Sequence, residues 1–228
     1  MKKGMLIVIE GTDCSGKETQ SKKAVEYFKE KGINIVRYAF PNYDTPTGKI
    51  IGGPYLGKSY ICDGWFPEGA PAVDALVGSA YYAADRRYNI GVINEHLKNG
   101  DIVLLDRYVE SNMAHQGGKI TSKEEREKMY EKLDKLEFDI MELPRPDAVL
   151  FLYMPFEYAA VLKQNRTEKP DQHEASKENL QSAERAYLEL TEKYGFIKID
   201  CVKNDEIRSI DDISNEVVSK LEGIINDN

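Results

Sequence analysis

Short apolar segments alternate along the chain with longer segments that have helical periodicity. The apolar segments lie at 5–10, 34–40, 102–106, 148–154 and 196–200. Their length and composition are typical of strands that are buried on both faces of a sheet. The helical segments lie at about 17–31, 72–97, 122–139, 156–165, 176–194 and 211–225. This alternation predicts an α/β fold, a three-layer sandwich in which helices flank a mostly parallel sheet of about five strands.

Glycine residues mark the ends of two of the helical segments. Gly32 and Gly100 stand where a helix C-cap favours a left-handed backbone. Residues 52–71 are rich in Gly and Pro, include the only tryptophan, Trp65, and show no clear periodicity. A stretch of this kind inside a compact domain is typical of a functional loop or an insertion. We therefore expect one domain over residues 1–228, with an insertion near 52–71.

Composition narrows the class of protein. The 228 residues are 41% hydrophobic and 31% charged, which is the balance of an ordinary globular protein. A formal net charge of −8 argues against a nucleic-acid partner but permits a nucleotide ligand, because a few local cations can hold a nucleotide. The three cysteines, Cys14, Cys62 and Cys201, form no CxxC pair, which suits a reducing compartment. The first apolar run stops at Glu10 and is too short to span a membrane, so we expect a cytoplasmic protein without membrane contact.

The segment after the first strand has the pattern G-x-x-x-x-G-K of a phosphate-binding loop. Gly11 and Gly16 permit the backbone angles that turn successive N–H groups around a phosphate, and Lys17 adds a positive charge. The loop lies between a strand and a helix N-terminus, as this mechanism requires. A glycine-rich turn without a ligand is the alternative. We predict that ATP contacts this segment, namely Gly11, Thr12, Asp13, Cys14, Ser15, Gly16, Lys17, Glu18 and Thr19.

The residue after Lys17 departs from the full motif. A Ser or Thr hydroxyl usually ligates Mg²⁺ at that position, but here the residue is Glu18. A carboxylate is also a suitable ligand for Mg²⁺, and Thr19 follows directly. The direct metal ligand therefore stays open, with Glu18 and Asp106 as the candidates.

An acid and an arginine follow a second buried strand. Strand 102–106 ends in Asp106, and Arg107 comes next. Parallel strands end at the same edge of a sheet, so this pair is expected to lie beside the phosphate-binding loop. There Asp106 can bind Mg²⁺ or orient an acceptor, and the Arg107 guanidinium can hold an anionic substrate. A salt bridge at the strand end is the alternative.

Four motifs, which include the two segments described above, occur in a characteristic order within residues 5–190. They are Glu10-Gly11-Thr12-Asp13 with Gly16-Lys17; Phe40-Pro41 with Thr47-Gly48-Lys49; Ala83-Ala84-Asp85-Arg86; and the segment from Asp106 to Gly118. In order and spacing the chain resembles the thymidylate kinase (dTMP kinase) family of P-loop nucleoside monophosphate kinases. The resemblance implies the P-loop NTPase fold, ATP and Mg²⁺ as cofactors, and a homodimer. It also implies phosphorylation of dTMP to dTDP on the route to dTTP.

The resemblance also implies roles for individual residues. Asp13 would lie near the 3′-hydroxyl of the sugar, Phe40 beside the base and sugar, and Tyr82 stacked on thymine. Arg86 would bind the O4 edge of thymine and Asn112 would contact the base from the other side. Arg107 would bind the acceptor phosphate, Asp106 would be the catalytic acid, and further substrate contacts would come from Ser111 and Gln116. Read without the resemblance, Tyr82 is a core aromatic, Arg86 belongs to an exposed charge cluster, and Asn112 is a polar group at a helix start.

Two positions of the acceptor site depart from the family pattern. Many relatives have an arginine before Phe-Pro that holds the acceptor phosphate, whereas this chain has Ala39. Tyr43 or Lys49 could take over that role. His115 replaces a tyrosine that lines the 2′ side of the sugar in the family, which affects selection of deoxyribose. The insertion at 52–71 could also reshape the acceptor pocket.

A lid is expected near 163–175. In the family, the arginine that stabilises the transition state comes from the phosphate-binding loop or from a mobile lid. The loop position beside Asp13 is Cys14, so the lid must supply this residue, and Arg166 is the candidate. Lys169 is a second candidate, and His173 is expected to face solvent. A solvated helix end is the alternative. The predicted catalytic set is therefore Lys17, Asp106, Arg107 and Arg166.

Other functions use the same phosphate-binding loop. A kinase could act on a related acceptor, such as dUMP, another nucleoside monophosphate or a deoxynucleoside. A GTPase switch is disfavoured, since the chain has no N-K-x-D guanine-binding motif and no D-x-x-G switch at Asp106. A catalytically inactive nucleotide-binding protein is suggested by Glu18 and Ala39.

Overall fold

The chain folds around one parallel sheet of five strands. A computed structural model describes residues 4–163 and 176–227. Within them, the strands have the order β2-β3-β1-β4-β5. Their bounds are β1 Met5–Gly11, β2 Ile35–Ala39, β3 Ile102–Asp106, β4 Ala148–Tyr153 and β5 Ile197–Asp200. This confirms the predicted fold class.

Helices cover both faces of the sheet. Their bounds are α1 Lys17–Glu30, α2 Pro46–Ile50, α3 Ala75–Asn99, α4 Val109–Asn112, α5 Lys123–Asp134, α6 Phe156–Lys163, α7 Lys177–Tyr194 and α8 Ile210–Asn226. Three π-helical turns continue α2, α4 and α5, over Ile51–Tyr55, Met113–Gly117 and Lys135–Ile140. In the described part of the chain, no helix combines the length and the apolar character that crossing a membrane would take.

Strand β1 lies at the centre of the sheet and is buried along its whole length. Its side chains alternate between two cores, because successive residues of a strand point to opposite faces. Leu6 and Val8 belong to the core on one face, and Ile7 and Ile9 to the core on the other. Burial on both faces explains why β1 has a continuous apolar sequence instead of an alternating one.

The register of β1 brings the two sequence motifs together. In the parallel ladder with β3, Ile9 pairs with Asp106, and in the ladder with β4, Gly11 pairs with Leu152. The phosphate-binding loop and the Asp106–Arg107 pair therefore leave the sheet at the same edge and next to each other.

Several short elements have no counterpart among the predicted segments. These are α2 and α4 with their π-helical turns, and a hairpin of β6 Val202–Lys203 and β7 Glu206–Ile207. Segments of two to five residues are too short for a periodicity to show. Helix α3 begins at Ala75 instead of about 72, since the Asp74 side chain accepts hydrogen bonds from the N–H groups of Leu76 and Val77.

The segment predicted as an insertion forms a small core of its own. Its buried members are Ile51, Tyr55, Leu56, Ala70 and Val73. The Tyr55 ring packs edge-on against Tyr82, with ring centroids 5.8 Å apart, and so joins this segment to α3. Trp65 stays 75% exposed on its outer side.

Candidate active site

The phosphate-binding loop has the backbone conformation that its glycines permit. Gly16 has a φ of 77° and Cys14 a φ of 58°, both in the left-handed region. Gly11 is needed for a different reason, since a Cβ atom there would lie 2.2 Å from Ser15 Oγ. The loop can therefore close tightly between β1 and α1.

Thr12 ties the loop to the end of β4. Its Oγ1 donates a hydrogen bond to the carbonyl oxygen of Met154 (2.7 Å) and accepts one from the Met154 N–H (2.8 Å). Both groups are buried, and their mutual bonding satisfies them. This pair of bonds fixes the start of the loop against the sheet.

Lys17 lies at the start of α1 among charged neighbours. Burial, followed by the nearby Arg107 guanidinium, lowers the pKa of the Lys17 ammonium to about 8, although Asp106, Asp13 and Glu10 oppose the shift. Phosphate groups beside Lys17 would favour its charged form. An anionic ligand in the loop would therefore stabilise the positive charge of Lys17.

Asp13 lies on the loop between several cations. Burial tends to raise its pKa, but Lys17, Lys163 and Arg107 outweigh burial, so the pKa of the Asp13 carboxyl is lowered. Lys163, at the end of α6, forms an ion pair with this carboxylate. Asp13 is therefore an ionised acceptor, able to take a hydrogen bond from a sugar hydroxyl.

Asp106 is engaged by an arginine that the sequence analysis did not single out. Arg37 Nη2 donates to Asp106 Oδ2 (2.6 Å), and Arg37 Nε donates to Ser21 Oγ (2.7 Å). The strand-end salt bridge that was considered as an alternative therefore exists. It occupies one carboxylate oxygen and leaves Asp106 beside the loop.

Arg107 follows Asp106 with a φ of 66°, an uncommon backbone angle for a residue with a side chain. Its Nη1 donates to Ser111 Oγ (3.0 Å) and to the Tyr187 hydroxyl (3.3 Å). His115 Nε2 lies 3.5 Å from the same nitrogen. These contacts hold the guanidinium in one orientation at the end of the sheet.

Glu10 holds the residues around Arg107 in place through hydrogen bonds. Its buried carboxylate accepts hydrogen bonds from the N–H groups of Tyr108 (2.8 Å) and Ser111 (3.0 Å). It also accepts from Ser111 Oγ (2.6 Å) and the Tyr187 hydroxyl (2.8 Å). An acid at the end of an apolar strand is a signal in the sequence, but Tyr187 on distant α7 has no such signal.

A cavity opens in front of Arg107 and Asp13. Of the predicted substrate-binding residues, all except Gln116 line it. The described residues that line it are Asp13, Phe40, Pro41, Tyr43, Leu56, Lys58, Tyr82, Arg86, Arg107, Tyr108, Ser111, Asn112, His115 and Leu180. We call it the acceptor cavity. Gln116 instead is fully buried and donates from Nε2 to the Tyr55 hydroxyl (3.4 Å), which places it behind the cavity wall.

Arg86 and Asn112 form one wall of the acceptor cavity around a buried acid. Arg86 is 2% exposed, so its assignment to an exposed charge cluster is wrong. Its Nε donates to Glu137 Oε2 (2.8 Å), and its Nη2 pairs with the other oxygen of Glu137. Asn112 Nδ2 also donates to Glu137 (2.7 Å), while Asn112 Oδ1 is buried and has no hydrogen-bond partner among the described residues. An unpaired buried acceptor is costly, by about 1–3 kcal/mol, so this oxygen suits a ligand N–H group.

Two aromatic residues line the acceptor cavity. Phe40 is buried and packs against Tyr108, with ring centroids 6.0 Å apart. Tyr82 is half-buried and packs edge-on against Tyr55, so the interpretation of Tyr82 as a core aromatic also has support. Both rings present surface to the cavity on which a planar base can stack.

The family is decided by comparison with known proteins. The thymidylate kinase family model matches residues 9–211 of the chain. The chain belongs to the thymidylate kinase family. It is 32% identical to a probable thymidylate kinase of Thermococcus onnurineus over 96% of this chain and 97% of the relative. It is 30% identical to the thymidylate kinase of Plasmodium falciparum over 96% of this chain and 90% of the relative.

A solved structure supports the same fold. The thymidylate kinase of Candida albicans superposes with a TM-score of 0.70 at 23% identity, over 99% of this chain and 94% of that chain. Membership of the family assigns ATP-dependent phosphorylation of dTMP to dTDP as the activity. The predicted family and reaction are thereby confirmed.

In the thymidylate kinase fold of this chain, Glu18 does not lie where a metal ligand was expected. Its carboxylate is 68% exposed and forms an ion pair with Lys22 (2.6 Å) on the outer side of α1. Thr19 is also exposed. Among the described residues, no group of three or more His, Cys, Asp or Glu side chains could hold a metal ion. Asp106 has one carboxylate oxygen outside its bond to Arg37, and a single carboxylate of this kind can hold Mg²⁺ together with nucleotide phosphates.

The expected lid lies largely outside the described residues. Arg166, Lys169 and His173 all fall within 164–175, which the structure does not describe. Lys163, which ends the preceding helix, is described, and its ion pair with Asp13 places it beside the phosphate-binding loop of the thymidylate kinase fold.

Proposed function

We propose that the phosphate-binding loop holds ATP while Arg107 presents the phosphate of dTMP in line with it. The observation that carries this proposal is that Asp13 of the loop and Arg107 of the adjacent strand end line the same acceptor cavity. The β- and γ-phosphates would contact Lys17 and the amides of residues 11–19. In-line transfer between two bound phosphates needs no covalent intermediate, so positioning and charge supply most of the catalysis.

We propose that thymine is recognised by the wall around Glu137. The buried Oδ1 of Asn112 would accept a hydrogen bond from the ring N–H of thymine, and Arg86 would donate to its O4. Phe40 and Tyr82 would contact the faces of the base and the sugar. Stacking is tolerant of base identity, so discrimination would come from the two polar residues.

Asp106 would hold Mg²⁺ in this proposal, and Glu18 would not. The ion would neutralise phosphate charge during the transfer. Asp106 is adjacent to the loop and has one oxygen that Arg37 does not occupy, whereas Glu18 pairs with Lys22 at the surface. Arg37 would keep the Asp106 carboxylate oriented toward the phosphates.

We further propose that Arg166 supplies the transition-state cation from a lid over 163–175. The motivation is that Cys14 offers no positive charge at the loop position where some relatives have an arginine. The ion pair of Lys163 with Asp13 supports a cationic lid base close to the transferring phosphate.

A cytoplasmic homodimer is the proposed form of the enzyme. In the part of the chain that the structure describes, Cys14, Cys62 and Cys201 form no disulfide, in keeping with a reducing compartment. Helix α3 has an exposed apolar stripe of Val77, Tyr88 and Val92, which are spaced to lie on one face. An apolar stripe of this kind on a helix is suited to packing against a second copy of the chain.

An acceptor screen tests the proposed function. The wild-type protein with Mg-ATP should produce ADP much faster with dTMP than with UMP, CMP or AMP, measured by a coupled ADP assay. Lys17→Ala and Arg107→Ala should each reduce turnover by at least about 100-fold, because each removes a charge at a reacting phosphate.

The control variant is Lys22→Ala, on the exposed face of the same helix, which should keep full turnover. Circular dichroism would verify that all three variants are folded. Nucleotide binding without ADP production for any acceptor would instead identify an inactive nucleotide-binding protein. Equal rates for all acceptors would contradict the roles of Arg86 and Asn112.

A further inference from the structure

The acceptor cavity contains a cation from the insertion segment. Lys58 lines the cavity together with Tyr43, and its Nζ lies 5.3 Å from the centroid of the Tyr43 ring. The family resemblance pointed to a missing arginine at Ala39 and left its substitute open between Tyr43 and Lys49. Lys49 is exposed and is not among the described residues that line the cavity.

The charge balance of the acceptor cavity calls for a cation besides Arg107. Among the lining residues that the structure describes, the cations are Lys58, Arg86 and Arg107, and Asp13 is an opposing acid. Arg86 directs two of its nitrogens to Glu137, so that acid balances its charge. A phosphate monoester carries about −1.5 to −2 charges at neutral pH. Arg107 alone leaves that charge partly uncompensated, and Lys58 is a further cation that lines the same cavity.

The backbone of Lys58 is anchored on both sides. Its N–H donates to the carbonyl oxygen of Gly52 (2.7 Å), and its own carbonyl oxygen accepts from the N–H groups of Ile61 (2.8 Å) and Cys62 (3.2 Å). The preceding residue, Gly57, has a φ of 65°, which a side chain would disfavour. The stem of the lysine therefore starts from a fixed point at the cavity rim.

Close packing against Tyr43 sets the distance between this segment and the cavity. A Cβ atom at Gly52 would lie 2.9 Å from the Tyr43 ring and 2.4 Å from Ile61. A Cβ atom at Gly53 would lie 2.6 Å from Cys62 Sγ. Gly52 thus lets the insertion pack closely against Tyr43 at the acceptor cavity, and Gly53 lets the insertion pack closely on itself.

We propose that Lys58 binds the acceptor phosphate together with Arg107, in the place of the arginine that is absent at position 39. The inference rests on the proposed function of the acceptor cavity. Lys58 contributes a charge-assisted hydrogen bond to a phosphate oxygen, and the flexible stem lets the ammonium follow that oxygen when the acceptor binds. The insertion at 52–71 is accordingly part of the substrate site.

Binding of dTMP and of thymidine, which lacks the phosphate, separates this role from a structural one. Calorimetry should show that Lys58→Ala weakens dTMP binding by about tenfold or more and leaves thymidine binding unchanged. Lys58→Arg should retain most of the dTMP affinity, because it keeps the charge. Lys49→Ala is the matched control and should leave both affinities unchanged. The coupled ADP assay should show a higher KM for dTMP with Lys58→Ala.

The results can show separately whether the role of Lys58 is wrong and whether the proposed function is wrong. An unchanged dTMP affinity in Lys58→Ala, or an equal loss for dTMP and thymidine, overturns the inference. Emission of Trp65, which lies in the same segment, reports whether the insertion keeps its structure in the variant. A wild-type protein that phosphorylates no acceptor contradicts the proposed function itself, whereas normal dTMP turnover with an unaffected Lys58→Ala contradicts only the role of Lys58.

Discussion

Two buried acids near the active site, Glu10 and Glu110, differ in how completely they are hydrogen-bonded. Glu10 is fully buried and takes four hydrogen bonds from neighbouring donors, so its charge is well compensated. Glu110, the second residue of α4, is also buried, but its Oε2 has no hydrogen-bond partner within residues 4–163 and 176–227. Burial, and next the charge of Glu10, raises the pKa of the Glu110 carboxyl to about 8. The charge of Glu10 is therefore compensated by hydrogen bonds, whereas a charge on Glu110 is disfavoured in the folded protein.

The pH dependence of stability should reveal Glu110. In the unfolded chain its pKa is near 4.5, whereas in the folded protein it is about 8. The folded state therefore binds the proton more tightly, and the free energy of unfolding should fall as the pH rises from about 4.5 to 8. Glu110→Gln should remove this loss and stabilise the protein at pH 8.5 by on the order of 3 kcal/mol, with little effect near pH 5.

Thermal unfolding of both proteins at the two pH values measures this difference. Glu127→Gln, at an exposed position of α5, is the control and should behave as wild type. If Glu110→Gln gave the same change in stability at both pH values, the Glu110 carboxyl would not be the titrating group.

Residue roles were predictable where they follow from a local motif. Asp13, Lys17, Asp106 and Arg107 lie in segments whose sequence alone predicts a phosphate site. Arg37, Lys58 and Tyr187 were missed because they reach the site from other elements. Only the packing of β2, of the insertion and of α7 brings those three to the site.

At the scale of elements, the long segments were predictable and the short ones were not. Strand β3 has the predicted bounds, 102–106, and the long helices differ from the prediction by at most a few residues. Helix α2 has no periodic signal, yet it is tied to α3 next to Pro41 and Tyr43, which line the acceptor cavity. It begins with Thr45 as N-cap, and Asp85 of α3 accepts hydrogen bonds from the Asn42 N–H (3.0 Å) and Thr47 Oγ1 (2.7 Å).

Gly48 allows α2 to fit against the loop that follows β2. A Cβ atom at Gly48 would lie 1.8 Å from the carbonyl oxygen of Asn42, which is backbone and cannot rotate away. Gly48→Ala should therefore destabilise the protein by about 1–3 kcal/mol or more and raise the KM for dTMP. Denaturant unfolding and acceptor kinetics measure the two effects.

Gly91→Ala in α3 provides the matched control. Apart from the adjoining residues and the backbone of α3 itself, no described heavy atom lies within 4 Å of a Cβ atom at that position. The same substitution there should stabilise the protein by up to about 1 kcal/mol, through the higher helix propensity of alanine. If both variants gained stability, the close approach of α2 to Asn42 would be disproved.

At the scale of the whole molecule, the exposed stripe of Val77, Tyr88 and Val92 is suited to an interface between two copies. The wild-type protein should elute as a dimer in size-exclusion chromatography with light scattering. Val92→Glu should shift it toward the monomer, because a charge in an apolar interface loses its hydration. Ile210→Glu, at another exposed apolar position, is the control and should leave the dimer intact. A wild-type monomer at micromolar concentration would contradict the homodimer.

The hydrogen bond between Glu10 and Tyr187 spans 177 residues of sequence. Tyr187 also accepts a hydrogen bond from Arg107, so the cation that is proposed to hold the acceptor phosphate takes its orientation only when α7 has docked on the sheet. During synthesis on the ribosome, β1, β3 and the phosphate-binding loop are made long before α7, which follows them in the sequence. The proposed grip on the acceptor phosphate therefore depends on one of the last helices to be made.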